Sequence, residues 1–315
     1  MKLPTYVIDA DFFKNWSLGA NHPTQGRRYS NVKELFGELA EKRDVNLVVV
    51  EPRTATYDEL AKVHAPNFII DVTQKYLRFD SIDANKEQAE IASMMAGATV
   101  QMLDALLEKK TLTAINFAGA KHHAQYDFPS GFCVFADLAI AADIATKDHG
   151  LKVAIFDFDG HHGDGTENLC ANNPDVLTFS IHEYGIFPGT GLKSDIAKHI
   201  YNFPLPGQSN DTELGQATDL FIQYSRNFRA DVIFVASGAD GHIDDPLTHL
   251  EYTVPGYVGV AQKLRAAFPS LPFLIGGAGG YQPDDRTPEI WAKFAIEIAA
   301  NACEANTKIS KKGKS

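Results

Sequence analysis

The chain has 315 residues, 44% of them hydrophobic and 22% charged, which is enough apolar sequence for one full globular core. Its formal net charge of −11 argues against bulk electrostatic attraction to nucleic acid or an anionic membrane, and leaves room for a cationic ligand. Three cysteines (Cys133, Cys170 and Cys303) are too few and too scattered for a disulfide framework. No leader-like start or 18-residue apolar run is present, so a cytoplasmic setting is expected.

Residues 6–8 read as a short strand ending at Asp9 and Asp11, and a polar loop follows from His22-Pro23 to Arg27-Arg28. Asn31 with Glu34 has capping-box spacing, and Val32, Leu35, Phe36 and Leu39 recur at helical intervals. Residues 47–50 read as a buried strand. Thr56 and Glu59 form a second capping-box pair ahead of a short helix. A helix is expected from Pro66 to about residue 79, and a longer one over 86–108. From there strands at 114–118, 153–156, 176–181, 201–203, 232–236 and 273–275 alternate with helices at 138–147, 212–227, 254–267 and 288–302. Residues 204–211 carry turn formers and are expected as a loop. Continuous β-branched strands between helices predict an α/β fold whose mainly parallel sheet is covered on both faces. No repeat or linker divides the chain, so residues 1–307 are expected to form one domain. The basic tail 308–315 is expected to be a disordered end.

Ligands in an open parallel sheet bind beyond the carboxyl ends of the strands, and chemistry-bearing residues gather there strand after strand. The densest stretch is Val153 to Thr166, VAIFDFDGHHGDGT, which presents Asp157, Asp159, His161, His162 and Asp164 just past a strand. Alternation along the strand lets Asp157, Asp159 and His161 share one face, a mixed oxygen and nitrogen set suited to Zn²⁺, Fe²⁺ or Mn²⁺. An acidic turn after a core strand is the plainer alternative. Asp240, past another strand in SGADGHIDDP, supplies a third candidate ligand, and three ligands leave positions open for water and substrate. The pair His122-His123 needs carboxylate partners, with Asp157 and Asp164 as candidates for general acid/base work. Tyr281 follows the glycine-rich GGAGG and could face a developing oxyanion. Phe132 and Phe187, in loops, could line an apolar channel.

The ordered segments HPTQGRR, KHHAQYDFPSGFCVFAD, FDFDGHHGDGTE, FSIHEYGIFPGTG, SGADGHIDDPL and GGAGGY resemble the zinc-dependent histone deacetylase family, which includes acetoin-utilisation proteins and acetylpolyamine amidohydrolases. The resemblance spans His22 to Tyr281. It implies an arginase-like α/β fold with roughly eight strands, and Zn²⁺ (or Fe²⁺) on Asp159, His161 and Asp240. It pairs His122 with Asp157 and His123 with Asp164, and makes Tyr281 the transition-state phenol. Gly131, Phe132 and Phe187 would line an acyl-lysine tunnel. A structural potassium ion would sit on Asp157, Asp159, His161, Ser180 and the Ile181 carbonyl, and Arg28 would reach the inner pocket. The implied substrate is an acylated lysine peptide or a small N-acyl amine such as an acetylated polyamine. A two-manganese ureohydrolase and a non-enzymatic acyl-amine sensor are the rivals. The chain departs from the family pattern at Lys121, Ala136 and Ala278, which places the difference at the pocket rim and substrate. An acidic rim residue is expected near 80–83.

Overall fold

The computed structural model describes residues 3–19, 22–76 and 85–302. The tail, the domain limit at 307, Cys303 and the rim segment near 80–83 lie outside those residues. Eight strands form one continuous, all-parallel sheet: β1 (Thr5–Ile8), β2 (Leu47–Val50), β3 (Thr113–Asn116), β4 (Val153–Asp157), β5 (Val176–Glu183), β6 (Ile200–Leu205), β7 (Val232–Ala236) and β8 (Phe273–Gly276). Their order is β2-β1-β3-β8-β7-β4-β5-β6. Among the described residues nine α-helices cover it: α1 (Arg27–Lys42), α2 (Tyr57–Leu60), α3 (Pro66–Thr73), α4 (Lys86–Leu107), α5 (Asp137–Asp143), α6 (Asp164–Cys170), α7 (Asp211–Phe228), α8 (Val254–Ala267) and α9 (Arg286–Ala300). Helices α1, α9, α8 and α7 touch one another in succession, and α3, α4, α5 and α6 do the same. This is the single-domain, arginase-like α/β architecture that the sequence predicts.

The central strands β3, β8, β7 and β4 are buried along their whole length. Their β-branched and aromatic side chains suit a sheet sealed on both faces. Phe156 on β4 stacks on Phe221 of α7 with ring centroids 4.4 Å apart, and Trp291 of α9 closes the other end of that layer against Phe117. Arg265 pins the foot of the sheet. Its buried guanidinium donates to the carbonyls of Ile298, Phe268 and Leu271 and to the Thr113 hydroxyl.

Several expectations need correction. Residues 47–50 are not buried: β2 is an edge strand, and Val49 is exposed. The Asn31–Glu34 pair does not cap a helix, because α1 already begins at Arg27, and Asn31 donates from mid-helix to the Pro283 carbonyl at 2.8 Å. Thr56 and Glu59 do form the expected box, and a second one, Asn210 with Glu213, starts α7 inside the supposed loop. That loop also loses Pro204 and Leu205 to β6, an edge strand where a missing backbone N–H is tolerated. The strand at 114–118 ends at Asn116, whose side chain turns the chain by accepting from the Ala118 N–H. Helix α6 was hidden by its glycines.

Candidate active site

Strands β3, β4, β7 and β8 lie side by side and deliver their following segments to one place. Asp157 closes β4, and its Oδ1 accepts from the Asp159 N–H at 3.1 Å, which folds the chain back over the strand end. Asp159 then accepts from the Gly279 N–H through Oδ2 at 2.6 Å, and Asp240 accepts from the Gly160 N–H through Oδ1 at 2.7 Å. These bonds leave Asp159 Oδ1 and Asp240 Oδ2 facing His161, whose Nδ1 lies 3.3 and 2.7 Å from them. All three residues are buried, and their ligand atoms fall within 4.8 Å of one another.

The His122-His123 pair follows β3 through Ala120, which takes a left-handed φ of 61°. His122 Nδ1 pairs with Asp157 Oδ2, and His123 Nδ1 with Asp164 Oδ1, each at 2.7 Å. Asp164 is the first residue of α6, and Gly165 behind it lies so close to the His123–Ala124 backbone that any Cβ would overlap it. Gly131, with φ 51°, packs flat on the His123 ring, again with no room for a side chain. Phe187 stands edge-on to His123 at 5.0 Å, half exposed, and Phe132 stands edge-on to Tyr281 at 6.2 Å. The Tyr281 N–H donates to Asp245 Oδ2 at 2.9 Å, and its hydroxyl has no hydrogen-bond partner among the described residues. One pocket is lined by His122, His123, Gly131, Phe132 and Tyr281 together with the buried Arg28 and Lys121. The register of β4 on β5 sets Asp157 opposite Ser180, with Ile181 next along β5.

The electrostatics separate the two histidines. Burial lowers His122, but the carboxylates of Asp157 and Asp159 outweigh it and lift the imidazole to about 9. Burial, helped by the charge of His122, pushes His123 down to about 4 against the pull of Asp164. Neighbouring titratable groups driven apart in this way are the pattern of acid/base chemistry. Burial and the Asp159 charge raise Asp240 to about 6, and burial with the Asp240 charge raises Asp245 to about 8. Among the described residues no lysine or arginine forms an ion pair with Asp157, Asp159, Asp240 or Asp245. The charge of His122 compensates only part of this crowd of buried carboxylates, which is costly, and a divalent ion is the further charge such a cluster would take. Two carboxylates and one imidazole fit a borderline ion, so Asp159, His161 and Asp240 form a possible metal-binding triad.

Three contributors escaped the sequence reading. Asp245, within the SGADGHIDDP segment past β7, anchors the Tyr281 backbone. Asp137, fully buried at the start of α5, accepts from the Ala120 and Lys121 N–H groups at 2.8 and 2.6 Å and so holds the approach to the histidine pair. His64 is also buried. It accepts from the Ala136 N–H through Nε2 at 2.9 Å, and its Nδ1 donates to the Gln125 carbonyl at 2.9 Å. Each acts through a backbone group distant in sequence, for which residue spacing carries no signal.

The histone deacetylase domain model matches residues 22–298. The acetoin utilization protein AcuC of Bacillus subtilis is 31% identical over 312 residues, covering 91% of this chain and 80% of the relative. AcuC of Staphylococcus aureus strain MSSA476 is 30% identical, covering 93% of this chain and 81% of that protein. The chloroplastic histone deacetylase 14 of Arabidopsis thaliana is 32% identical over 237 residues, 68% of this chain and 56% of the relative. These likenesses support deacetylase chemistry, a hydrolysis of an acylated amine. No helix among the described residues is long and apolar enough to cross a membrane. The chain belongs to the histone deacetylase family.

Proposed function

We propose that the chain is a metal-dependent amidohydrolase that removes an acetyl or other acyl group from the side-chain amine of lysine or a related amine, in the cytoplasm. One observation carries this reading: the two carboxylate-paired histidines line one pocket with Tyr281, and the donor triad lies directly beside them, with Asp159 Oδ1 3.7 Å from His122 Nε2. Asp159, His161 and Asp240 would hold Zn²⁺, or Fe²⁺ in its place. When bound, the ion supplies Lewis-acid polarisation of the amide carbonyl and acidifies the attacking water.

The protein's own groups do the rest. His123 is neutral, because burial keeps its pKa low, and accepts the proton of the attacking water. Asp164 steadies the imidazolium so formed, which returns the proton to the leaving amine. Burial and the charges of Asp240 and Asp159 hold the Tyr281 phenol well above its ordinary pKa. It therefore stays protonated and donates to the carbonyl oxygen as negative charge grows there. His122, tied to Asp157, tunes the field around the reacting carbon. Gly131, Phe132 and Phe187 form a narrow apolar passage for the alkyl chain of the amine. A structural potassium ion on Asp157, Asp159, His161, Ser180 and Ile181 belongs to the same reading and would offset the carboxylates from behind.

The test is acetate release from a panel of acetyl-lysine peptides, acetylspermidine and acetylputrescine, with and without a chelator. Turnover that chelation abolishes and Zn²⁺ or Fe²⁺ restores is expected, and the ranking separates peptide from polyamine substrates. Tight binding of these compounds to metal-loaded protein with no turnover on any of them would refute the hydrolase in favour of a sensor.

A further inference from the structure

Two buried cations line the pocket, Arg28 from α1 and Lys121 from the segment after β3, 3% and 7% exposed. Arg28 lies over the rings of Tyr29 and Trp291, 5.0 and 5.1 Å from their centroids. Its Nη1 donates to the Gly280 carbonyl at 2.8 Å and its Nη2 to the Tyr29 hydroxyl at 3.0 Å. Its Nε, also buried, has no partner. Lys121 Nζ reaches the same Tyr29 hydroxyl at 3.4 Å and makes no other hydrogen bond among the described residues. Neither cation forms an ion pair with a carboxylate among the described residues. Asp137, beside Lys121 in the fold, directs its oxygens to the Ala120 and Lys121 N–H groups and the Thr99 hydroxyl instead. Charged side chains are seldom buried without a counter-ion, so two of them sharing one phenol leave a place for an anion.

We propose that Arg28 and Lys121 form a carboxylate subsite that takes the terminal carboxylate of a short dicarboxylic acyl group, such as succinyl, on the substrate amine. The inference rests on the hydrolase reading above. Lys121 adjoins His122 in the chain, and Arg28 grips the carbonyl of Gly280, which adjoins Tyr281. The two cations line the same pocket as His122, His123 and Tyr281, and in this proposal the acyl chain extends toward them. Water adds to the amide carbon, the C–N bond breaks, the amine leaves with a proton and a dicarboxylate is released. No oxidant or co-reactant is required. A neutral acyl chain of the same length would leave both cations without a counter-ion.

The test compares kcat/KM for succinyl- and butyryl-lysine forms of one peptide, which share a four-carbon acyl chain, using the native protein and Lys121→Met. Methionine nearly matches the length of lysine and lacks the charge. The ratio within each protein cancels differences in folding or metal loading. The native protein should favour the succinyl peptide by about tenfold or more, as charge-assisted hydrogen bonds allow, and Lys121→Met should lose that preference. Calorimetric binding of both peptides to Tyr281→Phe, whose turnover is slow on the time of the titration, should give the same ranking. Equal or better use and binding of the butyryl peptide by the native pocket, or an unchanged ratio in Lys121→Met, would overturn the proposal. Cleavage of an acetyl peptide alone, with acetate inhibition that weakens in Lys121→Met, would also overturn it and assign the two cations to the released acid, leaving the hydrolase reading intact. If no acyl peptide is cleaved, the hydrolase reading fails and the calorimetric ranking decides the subsite.

Discussion

Replacing Tyr281 by phenylalanine removes one oxygen atom from the pocket and little else. The hydroxyl has no protein partner among the described residues, so its loss breaks no hydrogen bond of the fold. The ring keeps its edge-on contact with Phe132 at 6.2 Å, and the backbone N–H keeps Asp245 at 2.9 Å. Stability to urea should therefore change by no more than about 0.5 kcal/mol, and metal content should not change. On the proposed mechanism the transition state, by contrast, loses the side-chain donor assigned to the nascent oxyanion. A single such donor is worth about 3 to 4 kcal/mol, so kcat for acetate release should fall about 10²- to 10³-fold, with KM nearly constant. Continuous measurement of acetate from an acetyl-lysine peptide reads both parameters. A kcat within a few fold of the native value would refute the oxyanion role and shift that work to other groups.

Asp164→Asn keeps an acceptor for His123 but removes the charge that stabilises its imidazolium, so kcat should fall about 10- to 100-fold with the metal retained; equal turnover would detach Asp164 from catalysis. Gly165→Ala would push a Cβ into the His123–Ala124 backbone and displace both histidines, costing at least about tenfold in turnover. A native rate in that variant would show that the close approach is unimportant. Burial holds His64 at about 4, against an ordinary 6.5, although its bond to Gln125 opposes the shift. The unfolded chain then binds the extra proton. The stability from this residue is full above about pH 6.5 and is lost as pH falls toward 4, about 3 kcal/mol across that window. Urea midpoints at pH 7 and pH 5 read the effect, which should shrink in His64→Gln; an identical slope in that variant would place the titration elsewhere.

Much of the architecture is legible in the chain because its strands are sealed on both faces. Runs such as Val232–Ala236 leave only one reading once helices flank them, and α8 begins and ends where its periodicity says. The errors share a cause, which is that local patterns are silent about position in the sheet. Leu47–Val50 is as apolar as a central strand yet sits at the edge, and Pro204 is admitted to β6 for the same reason. Helix α6 is preceded by Gly163 and carries Gly165, both closely packed, and those residues read as loop. The cluster of site residues is legible because parallel strands deliver their following segments to one edge, so Asp159, His161, Asp240, the histidine pair and Tyr281 could be sought strand by strand. Asp245, Asp137 and His64 could not, since each holds the pocket through a backbone amide far away in sequence.

The most direct measurement is a metal titration of chelator-stripped protein, following acetate release from an acetyl-lysine peptide as Zn²⁺ or Fe²⁺ is returned. Activity should rise in proportion to added ion, reach its plateau at one ion per chain, and be absent at every loading in Asp240→Asn. A plateau at two ions per chain, or full activity in the stripped protein, would contradict a single catalytic ion held by Asp159, His161 and Asp240.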